Sequence, residues 1–172
     1  SVFEDCDIVA RYTEYKSDGC YTAGRTYAST PYGYVFNNCR FLAEEGVADG
    51  AYRMARPWGA DDSTTFMNCY LGRAISLETS YGDMSGNLAE NARFAEYGSY
   101  GPGYTVNNKR PYLTSAQAAK FKTDTVMGDY DYSARTATLY GTQQEKPKTD
   151  ITVVDKAEVV KNVAVDENAV IK

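Results

Sequence analysis

The sequence predicts an all-β chain wound as a parallel β-solenoid, with a short helix near its end and an extended tail beyond. Three observations carry this expectation. A six-residue pattern recurs at intervals near 30 residues. A second strand-like series interleaves with it. Turn residues, rather than amphipathic helices, separate the two.

The first series reads Phe, any residue, Asn or Asp, Cys, any residue, a large apolar residue. It runs from Phe3 to Ile8, from Phe36 to Phe41 and from Phe66 to Leu71, with its first residues 33 and 30 apart. Phe94-Ala95-Glu96-Tyr97 is a weaker fourth copy. The second series pairs Tyr21-Thr22-Ala23-Gly24-Arg25 with Tyr52-Arg53-Met54-Ala55-Arg56, 31 residues on. Stacked turns at about 4.8 Å align equivalent residues into ladders. Phe3, Phe36 and Phe66 make one ladder, and Cys6, Cys39 and Cys69 a second. Asp5, Asn38 and Asn68 make a third, hydrogen-bonded along the stack. A stacked cysteine is an inert small hydrophobe; for Cys6 and Cys20 a disulfide to a segment outside this sequence is the alternative.

Leu113 to Phe121 reads as a short helix with Thr114 as N-cap, placed to cover the open end of the solenoid. The organisation expected is a β-helix over residues 1–141 and a tail over 142–172. The tail has no aromatic, Gly or Cys and alternates Val with charge. It reads as a linker, the start of a further segment, or a strand laid on the solenoid.

Composition excludes several chemistries. The chain has no His and no C-x-x-C pair, which removes a Ser-His-Asp triad, a Cys-His pair and a zinc site. No metal or other cofactor is expected. A net charge of −5 without a basic run argues against nucleic acid. No apolar run approaches the roughly 18 residues of a membrane span. Sixteen Tyr among 172 residues fit either a carbohydrate groove or plain strand propensity.

Three segments carry a resemblance. Tyr52-Arg53-Met54-Ala55-Arg56-Pro57-Trp58-Gly59 resembles the Gly-Arg-Pro-Trp motif of pectin methylesterases, with Ala55 in place of Gly. Tyr81-Gly82-Asp83-Met84-Ser85-Gly86 is similar to the Trp-x-x-Met-Ser-Gly segment of bacterial members. Arg93 to Gly103 resembles the Arg-Phe-x-Glu-Tyr-x-Ser-Tyr-Gly-x-Gly signature. Together with Cys6 to Arg11 and the helix from Leu113, the matches span about residues 1–135 in the family's order. The chain resembles the C-terminal portion of a bacterial-type member.

The resemblance implies a right-handed parallel β-helix that hydrolyses C6 methyl esters of polygalacturonate. It implies secretion or a cell-surface location. Catalysis in that family uses one nucleophilic Asp and one acid/base Asp, with glutamines on the oxyanion. Both aspartates are expected upstream of Ser1, the nucleophile in an Asp-Phe-Ile-Phe-Gly motif just before Val2-Phe3. This chain alone is therefore expected to be inactive. Its expected partners are homogalacturonan and, at the open solenoid edge, the missing N-terminal half or another chain.

The resemblance assigns Arg56 to orient the missing nucleophile, as a guanidinium can by paired hydrogen bonds. It assigns Trp58 to stack on a sugar ring. Met84, Tyr81 and Arg11 are further substrate-binding candidates, each with an ordinary alternative in packing or ion pairing. Thr22 neighbours Arg56 with no assigned role. Glu96 and Asp83 take structural places. A non-catalytic pectin-binding or structural solenoid is the alternative function. A pectate lyase-like helix is a third, and wants a calcium-binding carboxylate cluster that the sequence lacks.

Overall fold

The computed structural model describes residues 1–131; the tail at 142–172 and the last residues of the 1–141 unit lie outside the described residues. Nine strands form three parallel sheets. The first turn holds β1 (Val2–Glu4), β2 (Asp7–Ala10) and β3 (Gly19–Gly24). The second holds β4 (Tyr34–Asn37), β5 (Arg40–Ala43) and β6 (Tyr52–Pro57). The third holds β7 (Ser63–Met67) and β8 (Tyr70–Leu71), and the fourth begins with β9 (Arg93–Tyr97). The sheets run β1-β4-β7-β9, β2-β5-β8 and β3-β6, each strand pairing with its equivalent one turn away. This is a parallel β-helix, as the repeat predicts.

The ladders form. Phe3 stacks on Phe36 at 4.7 Å and Phe36 on Phe66 at 5.4 Å, with interplanar angles of 13° and 11°. Stacked pairs of this kind add about 0.5–1.5 kcal/mol each beyond the area they bury. Asp5, Asn38 and Asn68 turn the chain between the first two sheets, with φ of 53°, 53° and 54°. Asn and Asp tolerate this left-handed conformation better than other residues with a side chain. Asn38 Nδ2 donates to Asp5 Oδ1 at 2.5 Å, while among the described residues no side-chain hydrogen bond carries this ladder on to Asn68, so the expected bonding along the stack holds for its first step. In the fourth turn Gly98 takes the same place at φ 66°, where a Cβ would sit 2.4 Å from Asn68 Oδ1. All four cysteines are free thiols, and burial pushes Cys39 up to about 11 and Cys69 higher still.

Two alignments shift. Phe66 pairs with Glu96, and Phe94 with Thr64, so the Phe94 copy is two residues out of step and the ladder ends at Phe66. In the second series Thr22 pairs with Ala55 and Ala23 with Arg56, two residues from the sequence alignment. The cause is Gly19, which lies opposite Tyr52 and leaves room for its ring.

The helix also sits elsewhere than expected. α1 (Ser115–Ala118) starts at Thr114, whose hydroxyl accepts from the Gln117 N–H while the Gln117 side chain accepts from Thr114 N–H. This reciprocal capping box satisfies two backbone donors. A 3-10 turn (Ala119–Phe121) and α2 (Thr123–Met127) follow. Ala118, Phe121 and Val126 pack on Val2, Val35 and Met67, the outer face of the first sheet. The interior is closed instead by a buried polar plug. Glu96 accepts from Arg110 Nε at 2.8 Å, Arg110 Nη2 at 2.5 Å and the Tyr81 hydroxyl at 2.8 Å. Arg110 also donates to the Gly103 carbonyl and lies over the Tyr104 ring.

Candidate active site

Arg56 and Trp58 stand at the end of β6, where Pro57 terminates the strand by lacking an N–H. The turn beyond is fastened to β3. Trp58 and Gly59 N–H both donate to the Gly24 carbonyl, at 2.9 and 3.3 Å. Asp62 lies fully buried against Gly24, where a Cβ would meet its Oδ1 at 2.2 Å. Its carboxylate accepts from the Thr26 and Thr64 hydroxyls. Burial pushes its pKa up, against hydrogen bonds that pull it down.

On the other side, a tight turn spans Met84–Asn87. Met84 and Asn87 exchange backbone hydrogen bonds across Ser85 and Gly86, with φ of 52° and 85°. Two consecutive left-handed residues define the turn type that favours Gly at its second centre. Asn87 Nδ2 donates to the Trp58 carbonyl at 3.0 Å and the Pro57 carbonyl at 3.3 Å. Asp83 accepts from Ala89 N–H at 2.8 Å. Trp58 is thus held by its backbone from two sides while the residue is left 59% exposed.

Arg56 has a different character. Its Nε is buried without a hydrogen-bond partner. No ion pair reaches its guanidinium among the described residues. A buried unsatisfied donor costs about 1–3 kcal/mol. Ala23, its partner on β3, offers no acceptor side chain. Neighbouring Thr22 is committed to the Met54 carbonyl.

The other candidates fall in different places. Met84 joins the Arg56–Trp58 group through Asn87. Tyr81 pairs with Ala55 but turns inward, stacked on Phe94 at 5.0 Å with its hydroxyl on Glu96. Arg11 is ion-paired to Glu44, and its carbonyl accepts from the Tyr52 hydroxyl. Tyr52 and Trp58 stand at opposite ends of β6, separated by about 3.3 Å per residue of strand. The structure therefore brings together Arg56, Trp58 and Met84, and leaves Tyr81 and Arg11 apart from them. Sequence reasoning missed Asp62 and Asn87, which brace the group. The tandem Asp61-Asp62 after Trp58 was the available signal for the first. Among the described residues no His, Cys, Asp and Glu cluster is arranged to hold a metal ion, and no helix is long and apolar enough to cross a membrane.

Known proteins resemble this arrangement along most of the described chain. The pectinesterase family model matches residues 1–131. Pectinesterase A of Dickeya dadantii is 36% identical over 157 residues, covering 76% of this chain and 42% of that protein. A probable pectinesterase/pectinesterase inhibitor of Arabidopsis thaliana is 28% identical, covering 65% and 21%. Among solved structures, a pectin methylesterase in complex with a hexasaccharide is similar at a TM-score of 0.64, with 30% identity and coverage of 75% and 45%. The Yersinia enterocolitica pectin methylesterase is similar at 0.66, with 25% identity and coverage of 76% and 48%. The chain spans less than half the length of these relatives. With its ladders, its Arg56-Pro57-Trp58 strand end and this match across every described residue, the chain belongs to the pectinesterase family.

Proposed function

We propose that the protein carrying this chain is a secreted pectin methylesterase that hydrolyses C6 methyl esters of polygalacturonate, and that these residues supply the substrate side of its site. The observation that carries the reading is the orphaned guanidinium of Arg56 beside an exposed Trp58. A guanidinium whose terminal nitrogens are unpaired among the described residues and still open to solvent fits a carboxylate contributed from outside those residues. Two parallel N–H···O bonds from Arg56 hold the nucleophilic Asp in line, which makes Arg56 a positioning residue. Trp58 presents an indole face to a pyranose, and Met84, tied to the same loop through Asn87, adds a second apolar contact to the sugar. The nucleophilic and acid/base aspartates come from upstream turns, which pair on the open edges of β1, β2 and β3. Residues 1–172 alone are then inactive.

The test is methanol release from methyl-esterified polygalacturonate by the protein with its upstream turns. Release that disappears when either upstream Asp is replaced supports the reading. Absence of release with both aspartates present contradicts it and favours a non-catalytic pectin-binding solenoid. In that case Trp58→Ala weakens polysaccharide binding with no activity to lose.

A further inference from the structure

The arginines of this chain are not distributed evenly between paired and unpaired. Arg11, Arg40, Arg73 and Arg110 are ion-paired, and Arg93 donates to three carbonyls. Among the described arginines, those without a hydrogen bond or ion pair are Arg25, Arg53 and Arg56. All three lie on the β3-β6 sheet or directly at its end. In a chain of net charge −5, leaving three cations unpaired on one sheet needs a reason.

Arg25 and Arg53 are also seated. The Arg25 stem lies over Gly59, where a Cβ would meet its Cγ at 2.8 Å. The Arg53 stem lies over Gly82, where a Cβ would meet its Cδ at 2.3 Å. Each glycine makes a trough that directs a long side chain. The chain is fastened on both sides of Arg25: the Gly24 carbonyl accepts from Trp58 and Gly59 N–H, and the Thr26 hydroxyl donates to the Asp62 carboxylate. Arg25 itself is exposed. A guanidinium on a rigid backbone loses less freedom on binding than one on a mobile loop.

We propose that Arg25 and Arg53 bind free carboxylates of a uronate chain that runs along β6, Arg25 beside the ring that stacks on Trp58 and Arg53 farther back along the strand. This rests on the pectin reading and deepens it. The substrate class becomes partly de-esterified polyuronate, because a methyl ester offers no anionic oxygen pair to a guanidinium. Arg25, one residue past the Gly24–Pro57 pairing, stands next to Trp58. Arg53 reaches Gly82, whose N–H donates to the Ala55 carbonyl, on the Arg56 side of the same strand.

The experiment titrates the full chain with polygalacturonate and, separately, with fully methyl-esterified polygalacturonate. The fluorescence of Trp58, the single Trp, is the readout. Polyglutamate serves as a competing polyanion. The expected result is a preference for the free acid that falls about tenfold in the Arg25→Gln/Arg53→Gln variant, the size of one or two charge-assisted contacts. Affinity for the esterified polymer is expected to stay unchanged. Equal loss toward both polymers, no loss, binding of neither by the wild type, or full displacement by polyglutamate overturns the proposal. Methanol release by the upstream-extended protein is measured in parallel. Release together with an unshifted preference sinks this inference and leaves the esterase reading standing. A lost preference without release does the reverse.

Discussion

Replacing Arg56 by Met is expected to stabilise the chain, against the usual direction of substitutions at a part-buried site. Most such changes cost about 1 kcal/mol. Here the wild type carries a buried Nε with no acceptor, a burden of about 1–3 kcal/mol. The residue as a whole is only part-buried, so water still reaches the rest of the guanidinium and the lower end applies. Met keeps much of the stem's packing and removes the unsatisfied donor. The gain expected is about 1 kcal/mol, which at a urea slope near 2 kcal/mol/M moves the midpoint up by roughly 0.5 M. Equilibrium urea unfolding of the full chain, followed by circular dichroism, measures it. A loss of about 1 kcal/mol or more would refute the reasoning, because it means that Arg56 already has favourable partners. The same substitution must abolish function if Arg56 serves a carboxylate from elsewhere. Stability and activity then move in opposite directions, the signature of a group kept for function.

Other consequences follow from the closed end, the ladders and the braces. Arg110→Met leaves the fully buried Glu96 carboxylate without its paired donors and is expected to cost about 3–5 kcal/mol in urea unfolding, while Glu96→Leu with Arg110→Met recovers at least half; a cost under 1 kcal/mol counts against the plug. Cys6, which is half-buried, is expected to react with an aromatic disulfide reagent well before Cys39 and Cys69, whose thiols burial pushes up, and equal rates for all the cysteines would contradict the ladder. Burial raises the folded pKa of Asp62 above 3.8, so its contribution is greatest below that pH and is lost as pH rises through the folded value. Wild type is therefore expected to lose stability relative to Asp62→Asn across that window, and a flat or opposite difference argues against a desolvated carboxylate.

How much was legible in the sequence depends on which force sets each feature. The solenoid was readable because each turn repeats the same demand: Phe inward, Asn or Asp at a left-handed bend, Cys packed behind. Those demands are local and periodic. The register of β3 on β6 was not, because it depends on Gly19 giving way to the Tyr52 ring one turn later. Glu96 takes the structural place expected of it, but its seat and partners were not legible for the same reason. The sequence shows a carboxylate after Phe94, but only the register places it at the end of the Phe ladder, where Arg110 and Tyr81 neutralise it. The helix was found at its capping box, while its seat on Val35 and Met67 follows from the outer faces of β4 and β7. In the site, Arg56 and Trp58 were marked by a motif. Asn87 and Asp62 were not, since neither side chain acts on anything near it in sequence except Thr64.

The central claim is that Arg56 waits for a carboxylate that it positions for attack. The most direct measurement compares steady-state methanol release by the upstream-extended protein and its Arg56→Ala variant. Loss of an interaction made at the reacting group is expected to lower kcat by about 10²–10³ and leave KM within about threefold. An unchanged kcat with a raised KM would contradict the account, placing Arg56 on the substrate and not on the nucleophile.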